Sequence, residues 1–487
     1  MDHHKPTIHI AAISIPAFSH QASILQFSKR LVHLHPHLQV TCIFPTIDSP
    51  PDPTIAILQT LPSSIHCIFL PPISKHDLVD PQHNSTPPPA VQIQLAVSRS
   101  LPSLCDALKS LRFGSSSPSP SSPPPLVALI TDPFANEVLE IAKELDLLSF
   151  VYFPPSAMTL SLFLNLPRLD QETSCEYRDL KDPIEIFPGC SIPINGLDLP
   201  EHLQDRSSLS YELILQRCKR FPLADGFLVN TFFEMEHRTV TALQNVFPIG
   251  PIVQAGSSTS ENGSGCVEWL ENQTPRSVLY VSFGSGGTLS GEQLNELALG
   301  LELSGQKFLW VVRKPSESAN SAYLSDEKQD SLQFLPSGFI ERTKERGLVA
   351  SSWAPQSEIL RHSSTGGFLT HCGWNSILES IVCGVPMMTW PLFAEQKMNA
   401  VLLTEGLKVA LRPKENERGI VEKEEIAEMV RRLMEGREEG NGIRRRIEEL
   451  KDAASSALKK DGSSTKALSQ VVDQIQVETF WRQKQKY

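Results

Sequence analysis

Between Trp353 and Gln396 the chain reads WAPQSEILRHSSTGGFLTHCGWNSILESIVCGVPMMTWPLFAEQ, and the middle of this run is compatible with few folds. Gly366-Gly367-Phe368-Leu369-Thr370 is a short apolar strand and His371-Cys372-Gly373 a tight glycine turn. Ser376 to Cys383, apolar at Ile377, Leu378, Ile381 and Val382, is a buried helix that Asn375 is placed to cap. A shorter amphipathic helix, Ser357 to Arg361, is expected before the strand. Strand, turn and helix in this order are the building unit of a parallel sheet covered by helices.

The same alternation fills the rest of the chain. Strands are expected at His9 to Ile15, Gln39 to Phe44, Ser64 to Leu70, Leu126 to Thr131, Ser149 to Phe153 and Gly226 to Asn230, with helical periodicity over Gln21 to His33 and Pro133 to Leu145. Phe247-Pro248-Ile249-Gly250-Pro251, followed by the Gly/Ser-rich Ala255 to Gly265, reads as a boundary. Beyond it come strand Ser277 to Phe283, helix Gly291 to Leu303 behind a capping box from Ser290 to Gln293, and strand Phe308 to Arg313. A strand near Val409 to Leu411 follows the central run, then helices at Lys423 to Met434 and Gly442 to Leu458. The Ser/Pro tract Gly114 to Pro125 and the polar insertion Lys314 to Ser331 read as loops. The expected organisation is therefore α/β: a domain over 1–248, a linker over 249–265, a second domain over 266–463, and a helix over 464–487 that packs back on the first. Two doubly wound halves present a cleft where the carboxyl ends of both sheets meet.

Composition excludes several function classes. A chain of 487 residues exceeds one core, and a formal charge of −11 without a dense basic stripe disfavours nucleic acid and anionic membranes. Nine cysteines without a CxxC pair fit reduced thiols rather than a disulfide framework or a metal site. The uncharged runs Thr7 to Ser28 and Leu147 to Leu166 are interrupted by polar residues or by Pro154-Pro155, so no signal peptide or anchor is expected. The expectation is a cytoplasmic monomer without cofactor or metal.

Chemistry concentrates in the central run. Trp353 offers a face for a planar ring. Gln356 and Glu379 can hold vicinal hydroxyls, and a glycine-preceded helix start beside His371, a donor able to carry charge, attracts phosphate. Taken singly these residues have plainer readings: rim or core tryptophans, a helix cap, a satisfied core histidine. The ordered combination describes a nucleotide with a sugar attached. Gly284-Ser285-Gly286-Gly287 also joins a strand to a helix, but Leu289 replaces the last glycine of G-x-G-x-x-G and Arg313 stands where an acidic ribose ligand belongs, which disfavours a nicotinamide enzyme. Phe283 breaks a G-x-S-x-G hydrolase elbow at Ser285.

For sugar transfer a base must take the acceptor proton, and His20, at the carboxyl edge of the first strand, is the candidate. A helix N-terminus should lower its pKa and keep it neutral. Asp132, after the strand Leu126 to Thr131, is placed to hold the other imidazole nitrogen, although Pro133 next to it also makes it a natural N-cap.

The whole run resembles the signature box of the plant family-1 UDP-glycosyltransferases, from Trp353-Ala354-Pro355-Gln356 through His371-Cys372-Gly373-Trp374-Asn375-Ser376 and Glu379-Ser380 to Glu395-Gln396. Motifs such as SVLYVSFGSGGTLS, NELALGL, FLPSGF and FAEQKMNAVLL are most similar to its hydroquinone glucosyltransferase (arbutin synthase) subgroup. The resemblance implies a GT-B fold of two Rossmann-like domains, UDP-glucose as co-substrate and a small plant aromatic as acceptor. It further implies that Trp353 stacks on uracil, Ala354 pairs with it through its backbone, Gln356 and Glu379 hold the ribose, and Ser285, His371, Gly373, Asn375 and Ser376 the diphosphate. Trp374, Glu395 and Gln396 would bind the sugar, with Gln396 favouring glucose. His20 and Asp132 match the family's catalytic pair. The sequence departs in having Glu395 where most members have Asp, and Ala17-Phe18-Ser19-His20 where a Gly-x-Gly-His turn is common. Phe18, Phe393 and the Pro188-Gly189 loop are candidate acceptor walls. A binding protein that has kept the nucleotide site but lost turnover is the rival that intact His20 and Asp132 disfavour.

Overall fold

The computed structural model describes residues 7–484 apart from 79–86, 88, 115–123, 185–188, 190–191, 254–260, 321–330 and 437. Most of the Ser/Pro tract, more than half of the polar insertion and Pro188 therefore lie outside the described residues.

In the first half, β1 (Ile8–Ile13), β2 (Leu38–Phe44), β3 (Ile65–Phe69), β4 (Leu126–Thr131), β5 (Leu148–Phe153), β6 (Gly226–Val229) and β7 (Val246–Pro248) form one sheet in the order β3-β2-β1-β4-β5-β6-β7. In the second, β8 (Val278–Ser282), β9 (Lys307–Val312), β10 (Gly347–Ser351), β11 (Thr365–Thr370), β12 (Met387–Thr389) and β13 (Ala410–Leu411) pair in the order β10-β9-β8-β11-β12-β13. Every pairing is parallel. Helices cover both faces, so the central strands carry mostly apolar runs in place of alternation, and β1 and β5 are buried along their whole length. These are two Rossmann-like sheets of an α/β protein.

Three strands escape sequence reading for a common reason. β7 and β12 span three residues each and β10 is a half-exposed strand at the sheet's edge, all too short or too polar to show a period. β7 lies inside the stretch read as a boundary, and its Pro248 is tolerated because the strand is an edge. Two helices of the first half differ from expectation. The first begins at Phe18, so the Phe18-Ser19-His20 segment is its opening turn. The segment expected as one helix over Pro133 to Leu145 is a 3-10 turn, Pro133–Ala135, followed by the helix Val138–Glu144. The capping box is half formed: Ser290 accepts from the Gln293 N–H, but the Gln293 side chain bonds both main-chain groups of Val421 instead of reaching back.

The halves are joined at several points. The Trp374 indole donates to the Asn230 carbonyl at 2.7 Å, Arg412 pairs with Asp198 at 3.0 Å, and the Glu201 N–H donates to the Ala394 carbonyl at 3.0 Å. The final helix, Ser463–Lys484, buries Ala467, Leu468, Val471, Val472 and Ile475 in the same cluster as Ile8, Val40 and Phe150 of the first half. Among the described residues no helix is long and apolar enough to cross a membrane.

Because Leu468 is fully buried in that cluster, Leu468→Ala is expected to lower stability by about 2–5 kcal/mol, read as a reduced denaturant midpoint with an unchanged slope.

Candidate functional site

In both sheets the strand order reverses once, and a crevice opens where it does. In the first sheet this happens between β1 and β4, whose chains leave toward opposite edges. His20 follows β1 and Asp132 follows β4. The Asp132 N–H donates to the Ile13 carbonyl at 2.8 Å, which registers the two strand ends. The His20 Nδ1 lies 2.6 Å from Asp132 Oδ2, while Asp132 Oδ1 accepts from the Phe134 N–H at 2.9 Å. Both readings of Asp132 hold, one per oxygen: it caps the turn and orients the ring. With Nδ1–H donating to the carboxylate, Nε2 is the nitrogen left to accept a proton.

The electrostatics correct one expectation. Burial, the largest influence, favours a neutral His20, but the charge and hydrogen bond of Asp132, followed by the charge of Glu395, outweigh it and raise the pKa above the ordinary 6.5. The net direction is therefore upward, opposite to the lowering expected from a helix N-terminus. A raised folded-state value means the pair stabilises the fold fully below the unfolded pKa and ceases to do so as pH climbs past the folded one.

In the second sheet the reversal lies between β8 and β11, whose last residues, Ser282 and Thr370, are in register. Exposed Ser285 sits in the turn after β8, and His371 follows β11. Two glycines make room for the His371 ring. A Cβ on Gly284, where φ is +73°, would stand 2.5 Å from its Nε2, and one on Gly373 2.3 Å. Burial, and then the charge of Arg313, push the His371 pKa down to about 4, so the ring is a neutral donor rather than the charge carrier expected. Among the described residues its Nδ1 is buried without a partner.

The helix after this turn is Trp374–Cys383, with Gly373 as N-cap. Asn375, expected as the cap, is the second helical residue, because the extended backbone of Gly373 already ends the turn. The first bond of the helix runs from the Ile377 N–H to the Gly373 carbonyl. The N–H groups of Trp374, Asn375 and Ser376 therefore precede the internal ladder and point out of the helix start.

Around this cradle, Trp353 is 46% exposed, in keeping with a stacking platform, and Ala354 is buried beside it. The Gln356 amide donates to Glu379 Oε2 at 2.6 Å and to the Ser376 hydroxyl at 2.9 Å, and Ser357 donates to Glu379 Oε1 at 3.1 Å. Gln356 and Glu379 are thus one preorganised unit. Gln396 accepts from the Leu392 and Phe393 N–H groups through its side-chain carbonyl, which folds the loop before it. Trp374 departs from expectation: its indole is buried in the joint with Asn230, leaving only its main-chain N–H for a ligand. Phe18 and Phe393 are half-buried. Glu395, from the second half, lies within electrostatic range of His20, from the first; burial raises its pKa and the His20 charge opposes the rise. The two crevices therefore face one another.

Sequence reasoning missed three contributors. Asn399 donates to the Cys372 carbonyl at 3.0 Å and to Glu395 at 3.5 Å, tying the glycine turn to the loop of Glu395. Arg313, at the carboxyl end of β9, helps keep His371 neutral; its place at a strand end was the available signal. Arg217, near His20, left no signal at all.

Residues 220–436 match the model of the UDP-glucoronosyl and UDP-glucosyl transferase family. The hydroquinone glucosyltransferase of Rauvolfia serpentina is 48% identical over 96% of this chain and 97% of its own length. UDP-glycosyltransferase 72B1 of Arabidopsis thaliana is 48% identical over 96% and 95%. The chain belongs to this family. It is a UDP-glycosyltransferase, and a UDP-sugar is its co-substrate. Among solved structures, a UDP-glucosyltransferase from Polygonum tinctorium, capable of glucosylating indoxyl and complexed with 3,4-dichloroaniline, superimposes with a TM-score of 0.86 at 44% identity, covering 97% of this chain and 99% of that one. UGT2 of Phytolacca americana, complexed with UDP-2fluoro-glucose and pterostilbene, gives 0.83 at 42%, covering 96% and 99%. These relatives share the two-domain GT-B architecture. The family match begins at residue 220, so His20 and Asp132 lie outside it.

The close approach of Gly373 to His371 yields a direct test. Gly373→Ala must displace the imidazole, and UDP affinity by titration calorimetry is expected to fall about tenfold or more while far-UV circular dichroism is unchanged.

Proposed function

We propose that this UDP-glycosyltransferase is an inverting O-glucosyltransferase that moves glucose from UDP-glucose to a hydroxyl of a small plant aromatic: a simple phenol, a phenylpropanoid or a flavonoid. Residues 1–248 hold the acceptor and 266–463 the UDP-sugar. The observation that carries the reading is the confrontation of two switch points, one ending in an imidazole paired with a carboxylate, the other in a neutral imidazole beside free helix N–H groups.

In this reading His20 Nε2 takes the proton of the acceptor hydroxyl as its oxygen forms a bond to the anomeric carbon. The bond from that carbon to the β-phosphate oxygen breaks on the opposite face, and UDP leaves with the electron pair. Asp132 stabilises the imidazolium that results. The charge developing on the leaving pyrophosphate is met by the N–H groups at the start of the helix Trp374–Cys383 and by His371 and Ser285. These groups supply the stabilisation that a metal gives elsewhere, so the rate is expected to survive a chelator. Trp353 and Ala354 take the uracil, Gln356 and Glu379 the ribose, and Glu395, Gln396 and the Trp374 main chain the sugar. Phe18 and Phe393 stand at the acceptor. The names and bound molecules of the relatives, hydroquinone, pterostilbene and 3,4-dichloroaniline, support an aromatic acceptor. The proposal is of a cytoplasmic monomer.

Incubation with UDP-glucose and a panel of hydroquinone, monolignols and flavonols is expected to give products heavier by one hexose, with the β anomer by proton NMR; an α product or hydrolysis alone refutes it. His20→Ala is expected to reduce kcat about a hundred- to ten-thousand-fold. Because the base works only when neutral, kcat/KM should fall on the acid side with an apparent pKa above the ordinary 6.5. Asp132→Asn should move that limb to lower pH.

A further inference from the structure

Arg217 lies in the helix Leu209–Arg220 and is only 5% exposed, yet among the described residues it makes no ion pair. One guanidinium nitrogen, Nη2, donates to Gln94 Oε1 at 2.7 Å; another, Nε, is buried without a partner. Such a burial is costly for a cation, and a purely structural role would be filled more cheaply by an apolar side chain. Its position gives the reason. The guanidinium carbon sits 3.8 Å above the centroid of the Phe134 ring, and the Phe134 ring meets His20 edge-on, with centroids 5.6 Å apart at 86°. Guanidinium, phenyl and imidazole are thus linked in series, with Gln94 bonded to the guanidinium.

Resting on the reading of His20 as the base, we infer that Arg217 is a positioning residue for it: the guanidinium clamps Phe134 against the imidazole, and its charge offsets the charges of Asp132 and Glu395. Asp132 contacts the imidazole from the end of β4, Glu395 acts from the second half, and the charge of Arg217 acts from the helix Leu209–Arg220. Tyr152, hydrogen-bonded to Ser23, faces Asp132 from the other side and is kept un-ionised by burial. Two carboxylates beside one imidazole favour the protonated ring, which cannot accept a proton. Arg217 is the one cation among these groups, and it opposes them. The cost to Arg217 is visible in its own pKa, which burial pulls down to about 10 despite the opposing influence of Cys218, Asp132 and Glu137.

The test needs no acceptor and so stands apart from the assignment of activity. The full-length protein, labelled at histidine Cε1, is titrated by NMR, with the His20 signal assigned from its loss in His20→Gln. Arg217→Met is expected to raise the His20 pKa by about half a unit to one unit, a three- to tenfold gain in proton affinity. Arg217→Lys, which keeps the charge, is expected to stay near the wild-type value, and Asp132→Asn to move it the other way. Should Arg217→Met not fold, Arg217→Gln removes the charge while keeping a donor toward Gln94. A neutral variant whose His20 titrates within about 0.2 unit of wild type, or a lysine variant that shifts as far as the neutral ones, overturns the inference. With any accepted phenol, the acid limb of kcat/KM should shift in parallel with the NMR value, which a merely structural arginine would not produce.

Discussion

The 2.6 Å contact between His20 and Asp132 exists because β1 and β4 are neighbours whose chains depart in opposite directions. Residues 112 positions apart in sequence meet there without any loop having to carry them across a gap. A parallel sheet places every strand's carboxyl end on one edge, and a reversal of strand order leaves that edge uncovered at one place. The second half repeats the geometry with different residues, at Ser285 and His371. Everything chemical about the molecule depends on these two uncovered places being turned toward each other, which the Trp374 to Asn230 bond, the Arg412 to Asp198 pair and the final helix maintain.

The two histidines at these edges are tuned in opposite directions, and their surroundings assign them different work. His20 is under the influence of two carboxylates, so its basicity is raised, as suits the proposed role of capturing a proton and carrying the charge briefly. His371 is packed between glycines and under the influence of Arg313, so protonation is suppressed and the neutral ring keeps one N–H to donate. A neutral donor next to helix N–H groups stabilises anionic charge without competing for a proton. Both rings are closely surrounded, His20 by Asp132 and Phe134 and His371 by two glycines that leave it just enough room, which limits how far either can be changed without repacking.

Preorganisation also explains why so many polar side chains near the cleft already bond one another. Glu379 is engaged by Gln356 and Ser357, and Gln396 by two main-chain N–H groups. Burial raises the pKa of both Glu379 and Glu395. Side chains fixed in this way lose little further entropy when a ligand replaces one partner with another. The rigidity costs some freedom of design, visible at Trp374, whose ring is committed to the joint between the halves.

Length, alternation and the ordered motif were enough to read two doubly wound halves, the places of most strands, and the membership of nearly every residue now found around the cleft. Those features are local: a strand needs five or six apolar residues in a row, and a glycine turn leading to a helix start is written in consecutive positions. What was misread or unseen depends on distance through space. The pKa of His20 could not be judged from its own helix, because Glu395 reaches it from the other half. His371 looked like a charge carrier until burial and Arg313 were placed around it, and the Trp374 indole looked free for a sugar until it was found bonded to the Asn230 carbonyl. Arg217 had no local mark at all, since its meaning lies in Phe134 beneath it and His20 beyond. The sequence alone determined which groups are present and on which strand ends they stand. Only the tertiary structure decided their protonation and their partners, because electrostatic fields and packing act across the cleft and not along the chain.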